Sequence, residues 1–303
     1  MKKLIGVVLF ATVVLALAPC AKAKKSKKYS IQLITMDQMD QHWANVDKGA
    51  KDAAKELGVN YRWNAPSVKD DAQQIECINN AVAQGADAIL LAANGPDAVT
   101  SALKAAVKDK VKIIYVDSPA NFPAEATFST NNKSAGKTAG EQMIAEFKKR
   151  GITSGSIGVI SVNAATASTV AREEGFKEAF DGTGFKILTT QYCDGDASRS
   201  KDAAANFITQ GVVGLFGANE GSTVGVGNAI RESGSSKIVG VGFDTSDTIK
   251  QLIKQGHVLC TMSQNPYVMG NEGLKAAVKV LNGEKLANKS VDTGVSVIDK
   301  SKL

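Results

Sequence analysis

From Ser30 to the end of a helical stretch near residue 282, the chain alternates between short aliphatic runs rich in β-branched residues and longer segments with one apolar helical face, most closed by glycine. The short runs are SIQLIT, VNYRWN, DAILLA, VKIIYVD, ATFSTN, SIGVIS, FKILTTQYC, VVGLFG, KIVGVGF and HVLCTMS. Between them the periodicity predicts helices over 43–57, 70–84, 96–108, 134–149, 172–180, 199–210, 220–233, 245–255 and 266–282. Short strands bounded by glycine and separated by helices of three or four turns form parallel α/β sheets, because each parallel connection needs a crossover helix to cover the sheet. Both halves carry the pattern. The seam falls near STNN at 129–132 or RGITSGS at 150–156, with no low-complexity linker. Two doubly wound α/β domains facing each other across a cleft are therefore expected, with function at the C-terminal ends of the strands.

The length of 303 residues, 44% hydrophobic and 22% charged, suffices for two cores of ordinary size. Residues 1–23 have the layout of an export signal: Lys2 and Lys3, an apolar run from residue 4 to 18, then AKA at 21–23. Two processing patterns are written into this stretch. LAPC at 17–20 is close to a lipobox with Cys20 as the lipidated residue, while Ala21 and Ala23 suit ordinary signal peptidase; Pro19 favours the soluble form. Residues 24–28 make a basic tether. Residues 1–28 hold seven lysines and no acid, so the remaining 29 basic and 30 acidic residues leave a folded part of net charge about −1. That balance offers nucleic acid no basic face. Beyond Cys20 the cysteines are Cys77, Cys193 and Cys260, read as buried small hydrophobes with or without one pair among them. No CxxC or metal-ligand spacing occurs.

Amides and carboxylates stand where the strands end: Asp37 and Asp40 with His42 and Trp43, then Asn94, Asp117 with Ser118, Asn163, Asp194 and Asp196, Asn219 with Glu220, Asp244, and Gln264 with Asn265. Helix capping accounts for about half of them, Asp37 included. It does not account for Asp117 and Asp244, whose carboxylates follow directly on the buried runs IIYVD and VGVGFD and need donors. Polyol hydroxyls would serve, since neighbouring OH groups offer paired donors to a carboxylate and paired acceptors to a guanidinium such as Arg172. Enzyme signatures are missing: there is no GxSxG elbow, Walker loop, HExxH or triad spacing, and GVGNAI and GVGFDT lack the third glycine of a dinucleotide fingerprint. Paired carboxylates leave glycosidase chemistry as a minority reading.

The ordered series GAKDAAKELG, QIECINNAVAQGADAILLAAN, YVDSPA, NNKSAGKTAGEQM, REEGF, GANE, VGFDTS, TMSQNP and AVKVLNGE resembles the periplasmic sugar-binding proteins of ABC importers, of the ribose-binding type that is also kin to the sensor domains of LacI-like repressors. The resemblance runs over almost everything after the export signal. It implies a type I periplasmic binding fold with a three-segment hinge, the first domain formed by 29–130 plus 265–293 and the second by 131–264 plus 294–303. It implies a monosaccharide or related polyol held between them, delivery to an ABC permease, a chemoreceptor as an optional second partner, a monomer, no cofactor and no metal, and a periplasmic location or, with Cys20 lipidated, anchorage at the cell envelope. Carried over by position, Asp117 and Arg172 match the family's carboxylate and arginine, and Asn219, Asp244 and Gln264 its second-domain and hinge groups. Asn94 matches the first-domain amide with a one-residue gap. Asp40, His42 and Trp43 stand where the family places an amide and two aromatics over one sugar face; Trp43 as a helix-start staple and His42 as a rim hydrogen-bonder are the alternatives. Trp63 and His257 fall in strand contexts and read as structural.

Two positions depart from the ribose pattern. Ser118 replaces an arginine and Gly195 an aromatic, which predicts empty volume at Gly195 and a ligand larger than ribose. Other readings with the same sequence are a receptor for a furanosyl signalling compound and a secreted carbohydrate-active enzyme. A repressor would need a helix-turn-helix where the export signal stands.

Overall fold

A computed structural model describes residues 28–303. The expected export signal, most of the expected basic tether and Cys20 lie outside the described residues. The first sheet contains β1 (Ser30–Ile34), β2 (Asn60–Asn64), β3 (Ala88–Leu91), β4 (Lys112–Val116), β5 (Ala126–Ser129) and β12 (Ser290–Asp292), in the order β12-β5-β4-β3-β1-β2, every pair parallel. The second contains β6 (Gly155–Ser161), β7 (Phe185–Ile187), β8 (Gln191–Tyr192), β9 (Gly214–Gly217), β10 (Val239–Phe243), β11 (Cys260–Gln264) and β13 (Val295–Asp299), in the order β13-β11-β10-β9-β6-β7, with β8 also on β6 and only β13 antiparallel. The order reverses beside β1 in one sheet and β6 in the other, and the loops leaving these switch points face each other.

Helices cover both faces of each sheet: α1 (Gln41–Leu57), α2 (Asp71–Ala83), α3 (Thr100–Lys108) and α9 (Pro266–Leu281) on the first, and α4 (Asn132–Arg150), α5 (Ala167–Ala179), α6 (Ala197–Thr209), α7 (Glu220–Ser233) and α8 (Asp247–Gln255) on the second. Each sheet is thus sandwiched by two apolar clusters, one with Leu33, Leu90 and Val116 and another with Ile89, Leu91 and Ile113 in the first lobe. In the second lobe Phe176 stacks on Phe216, ring centroids 4.2 Å apart.

Several expected boundaries move for local reasons. Pro96 opens a turn, and Thr100 N–H on Asp97 O starts α3 four residues late. The run FKILTTQYC splits into β7 and β8, and α5 begins at Ala167, ahead of Arg172. His257 lies in the turn after α8, its N–H on Leu252 O, while Trp63 is in β2. Cys77, Cys193 and Cys260 are all free thiols.

Among the described residues the chain passes between the sheets three times: after β5, after β11, and between β12 and β13. The three passages are bonded to one another. Thr130 Oγ1 donates to Gln264 Oε1 at 2.8 Å, Asn265 Nδ2 to Thr293 O at 2.6 Å, and Thr293 N–H to Ser129 O at 2.8 Å.

Reciprocal glycines set the position of the helices that carry the site. In the α4–α5 crossing a Cβ on Gly136 would lie 2.0 Å from Arg172 O and one on Gly175 1.9 Å from Lys133 O. The α1–α9 crossing repeats this with Gly49 against Tyr267 O at 2.0 Å and Gly270 against Val46 O at 2.0 Å. Alanine normally stabilises a helix interior by about 1 kcal/mol over glycine. Gly175→Ala is expected to reverse that sign and cost about 1–3 kcal/mol by overpacking, measured by urea unfolding; an unchanged or raised midpoint would show that the crossing yields.

Candidate functional site

Asp117 and Asp244 occupy equivalent places in the two lobes, directly after β4 and β10. Both adopt left-handed backbone, φ 62° and 70°. That conformation is strained for a residue with a Cβ, and the surroundings enforce it in the same way twice. Asp117 N–H donates to Phe128 O and its carbonyl accepts from Ser129 Oγ; Asp244 N–H donates to Met262 O and its carbonyl accepts from Thr261 Oγ1. The chain thereby turns out of each sheet and the carboxylates face one another across the cleft.

The ring of His42 lies between them, with Nε2 3.1 Å from Asp117 Oδ2 and Nδ1 3.4 Å from Asp244 Oδ1. Burial alone would strip its proton, but Asp244 and Asp117 overrule burial and hold its pKa up at about 10. Burial likewise works against the Asp244 carboxylate, yet His42, Arg172 and Gln264 hold it down at about 2. Gln264 Nε2 donates to Asp244 Oδ1 at 2.6 Å. Arg172 is fixed within the second lobe, Nε on Asn132 Oδ1 at 2.7 Å, Nη1 on Ala218 O at 3.0 Å and its guanidinium carbon 4.3 Å from the Phe243 ring centroid. Its Nη2 is left to point toward Asp117, 3.7 Å away.

Eight of the predicted residues, Asp40, His42, Trp43, Asp117, Arg172, Asn219, Asp244 and Gln264, line one cavity between the lobes. Its volume is about 20 Å³, room for about one water molecule. Trp43 packs in the first-lobe core edge-on to His42, centroids 4.7 Å apart at 83°, and also serves as cavity wall. Asn94 stands apart from this group. Its Nδ2 donates to Asp71 Oδ1 at 2.6 Å and its carbonyl accepts from Thr166 Oγ1 of the other lobe, so it braces the cleft from outside the cavity.

Met36, Val162, Ser168 and Thr169 also line the cavity without having stood out in the sequence, and so does a charged wall residue, Lys69. It sits in the polar loop before α2, and its buried ammonium pairs with Asp37 and with Asp40 at 3.1 Å. The empty volume expected at Gly195 is absent for this reason: a Cβ there would come within 3.0 Å of Lys69 Nζ and 2.8 Å of Asn219 Nδ2. Ser118 does not face open space either, its Oγ accepting from Ser168 N–H at 3.3 Å across the lobes. Burial, opposed by Lys69, raises Asp40 to about 6, and burial with Asp40 and Asp244 nearby raises Glu220 to about 7.

A family model described as a periplasmic binding protein domain matches residues 31–285. The ribose import binding protein RbsB of Haemophilus influenzae is 28% identical over 298 residues, 95% of this chain and 97% of its own. Among solved structures, a carbohydrate transporter solute binding protein from Agrobacterium radiobacter in complex with D-arabinose superimposes with a TM-score of 0.86 at 30% identity, over 91% of this chain and 96% of that one. An ABC transporter solute binding protein from Agrobacterium vitis with bound D-fucose gives 0.84 at 31% identity, over 90% and 96%.

The clamped imidazolium makes the closed fold pH-dependent with a definite sign. Because the pKa of His42 is raised from 6.5 to about 10, its contribution is complete below pH 6.5 and is lost as pH rises through about 10. On the acid side Asp244 contributes above pH 3.8 and fails as pH falls through about 2. The difference in thermal midpoint between the parent and His42→Gln is therefore expected to be largest near pH 4–6 and to narrow steadily toward pH 10. Expressed as unfolding free energy, the difference should stay below the ~3–5 kcal/mol of a trapped broken pair, because the lobes can part and hydrate both carboxylates. A difference that is flat from pH 6 to 10 would remove the ion pair from the account.

Proposed function

We propose that this chain, which belongs to the periplasmic binding protein domain family, captures a monosaccharide or related polyol between its lobes in the periplasm and delivers it to an ABC permease. The observation that carries this reading is the set of donors at the cavity wall. Trp43 Nε1, Arg172 Nη2 and Asn219 Nδ2 are buried and make no hydrogen bond, while the Asp117 and Asp244 carboxylates are held by His42 and Gln264. Each unpaired buried donor costs about 1–3 kcal/mol, so a ligand that brings oxygen acceptors relieves all three. A polyol does this and also offers hydroxyl donors to the carboxylates. The relatives bound to D-arabinose and D-fucose and the ribose import protein support a neutral monosaccharide.

Binding, not turnover, fits the imidazole in this cleft. His42 is pinned on both nitrogens and holds its proton to about pH 10, so it makes a poor general base at neutral pH. Entry of a sugar requires the lobes to separate, since the closed cavity has no room for it. The bonded passages near Thr130, Gln264 and Thr293 are the segments about which this motion is expected. An exported chain with Cys20 lipidated would do the same work from a membrane anchor.

The test is a thermal-shift and calorimetric panel of D-ribose, D-arabinose, D-allose, D-fucose, D-tagatose and inositol. At least one is expected to bind with one-to-one stoichiometry. Arg172→Lys keeps the charge but loses the fixed fork of donors, and should weaken that sugar by about tenfold or more. A panel with no binder, or a variant that binds as tightly as the parent, would overturn the assignment.

A further inference from the structure

The two lobes also meet at a contact outside the ligand cavity. Helix α1 begins without a cap of its own: the carboxylate of its N-cap residue, Asp40, is engaged by Lys69 and makes no capping bond, and the first turn contains no acid. The first N–H groups of a helix have no partner within it. Here Gln41 N–H and His42 N–H donate to the two carboxylate oxygens of Glu220, each at 3.0 Å. Glu220 is the first residue of α7, in the opposite lobe. The contact is reciprocated, since Asp247 N–H at the start of α8 donates to Gln41 Oε1 at 3.1 Å.

We infer that Glu220 is a positioning residue for solute capture, capping α1 from the opposite lobe and fixing the register in which His42 and Trp43 close over the ligand. The inference rests on the solute-binding reading for its purpose and on the bonds alone for its existence. A carboxylate buried beside Asp40 and Asp244 is costly, and the positive end of α1 with both N–H groups offsets that cost. A slightly misaligned closure would break both bonds and strand the carboxylate. The contact therefore selects one closed geometry and does little to hold the lobes together in any other. Since α1 carries His42 and Trp43 on its first turn, the capped register is also the register of the site.

Amide hydrogen exchange followed by NMR on the full chain without added sugar tests this directly. Gln41 and His42 N–H have no intrahelical partner, so their protection reports the bond to Glu220. They are expected to exchange about tenfold or more slowly in the parent than in Glu220→Ala. Amides of Ile89 and Val241, in the two sheets, should be unchanged and so show both lobes folded. Gln41→Pro provides the second arm. Proline suits the first helical position but removes one of the two donors, together with the Gln41 Oε1 that accepts from Asp247 N–H. It should lower the protection of His42 N–H although that group and Glu220 both remain. Equal exchange in the parent and Glu220→Ala, or a His42 amide indifferent to Gln41→Pro, would overturn the inference. A failed sugar panel would leave these rates untouched, and equal rates would leave the sugar reading standing.

Discussion

The imidazolium of His42 between two carboxylates organises the closed molecule. Asp117 ends a strand of one sheet and Asp244 ends the matching strand of the other. Without a cation between them, two buried like charges would push the lobes apart. With it, the same pair becomes the centre of a network that includes Arg172 and Gln264 and reaches the crossing at Thr130. The strain of two non-glycine residues in left-handed backbone is sustained because the sheet neighbours Ser129 and Thr261 hold both carbonyls. The cleft is therefore a place where charge, backbone strain and domain contact coincide, and a ligand entering it would alter all three together.

Much of the fold was legible in the sequence because parallel sheets write a strong signal. Their strands are buried on both faces and read as continuous aliphatic runs, and their helices stop at glycines such as Gly58, Gly151, Gly234 and Gly256, all at positive φ. The signal fades where burial is partial. The edge strands β12 and β13 carry SVD and VSVID, half-exposed and short, and the reading passed over them although they complete both sheets. The break between β7 and β8 has the same cause, since Gln191 and Tyr192 are exposed.

The candidate site was legible where a carboxylate followed directly on a buried run, which singled out Asp117 and Asp244. Lys69 gave no such signal. PSVKDD is a polar loop like any other, and its lysine becomes part of the wall only because Asp37 and Asp40 draw the ammonium inward. The missing side chain at Gly195 leaves no empty space, because Asn219 of its own lobe and Lys69 of the other fill the position. Asn94 differs: it follows a strand end as expected, and its amide Nδ2 is engaged by a nearer carboxylate, Asp71. Composition at a strand end identifies candidates, while partners from distant loops decide which of them face a ligand.

The three passages between the sheets have a mechanical consequence. Separate flexible strands would let one lobe swivel and slide on the other, but here Thr130, Gln264, Asn265 and Thr293 are stitched side by side across the joint. Such a joint behaves as a flexure, compliant in bending and stiff in torsion and shear. Any relative motion of the lobes would be reduced toward a single degree of freedom, and every return stroke would present the same two surfaces to each other.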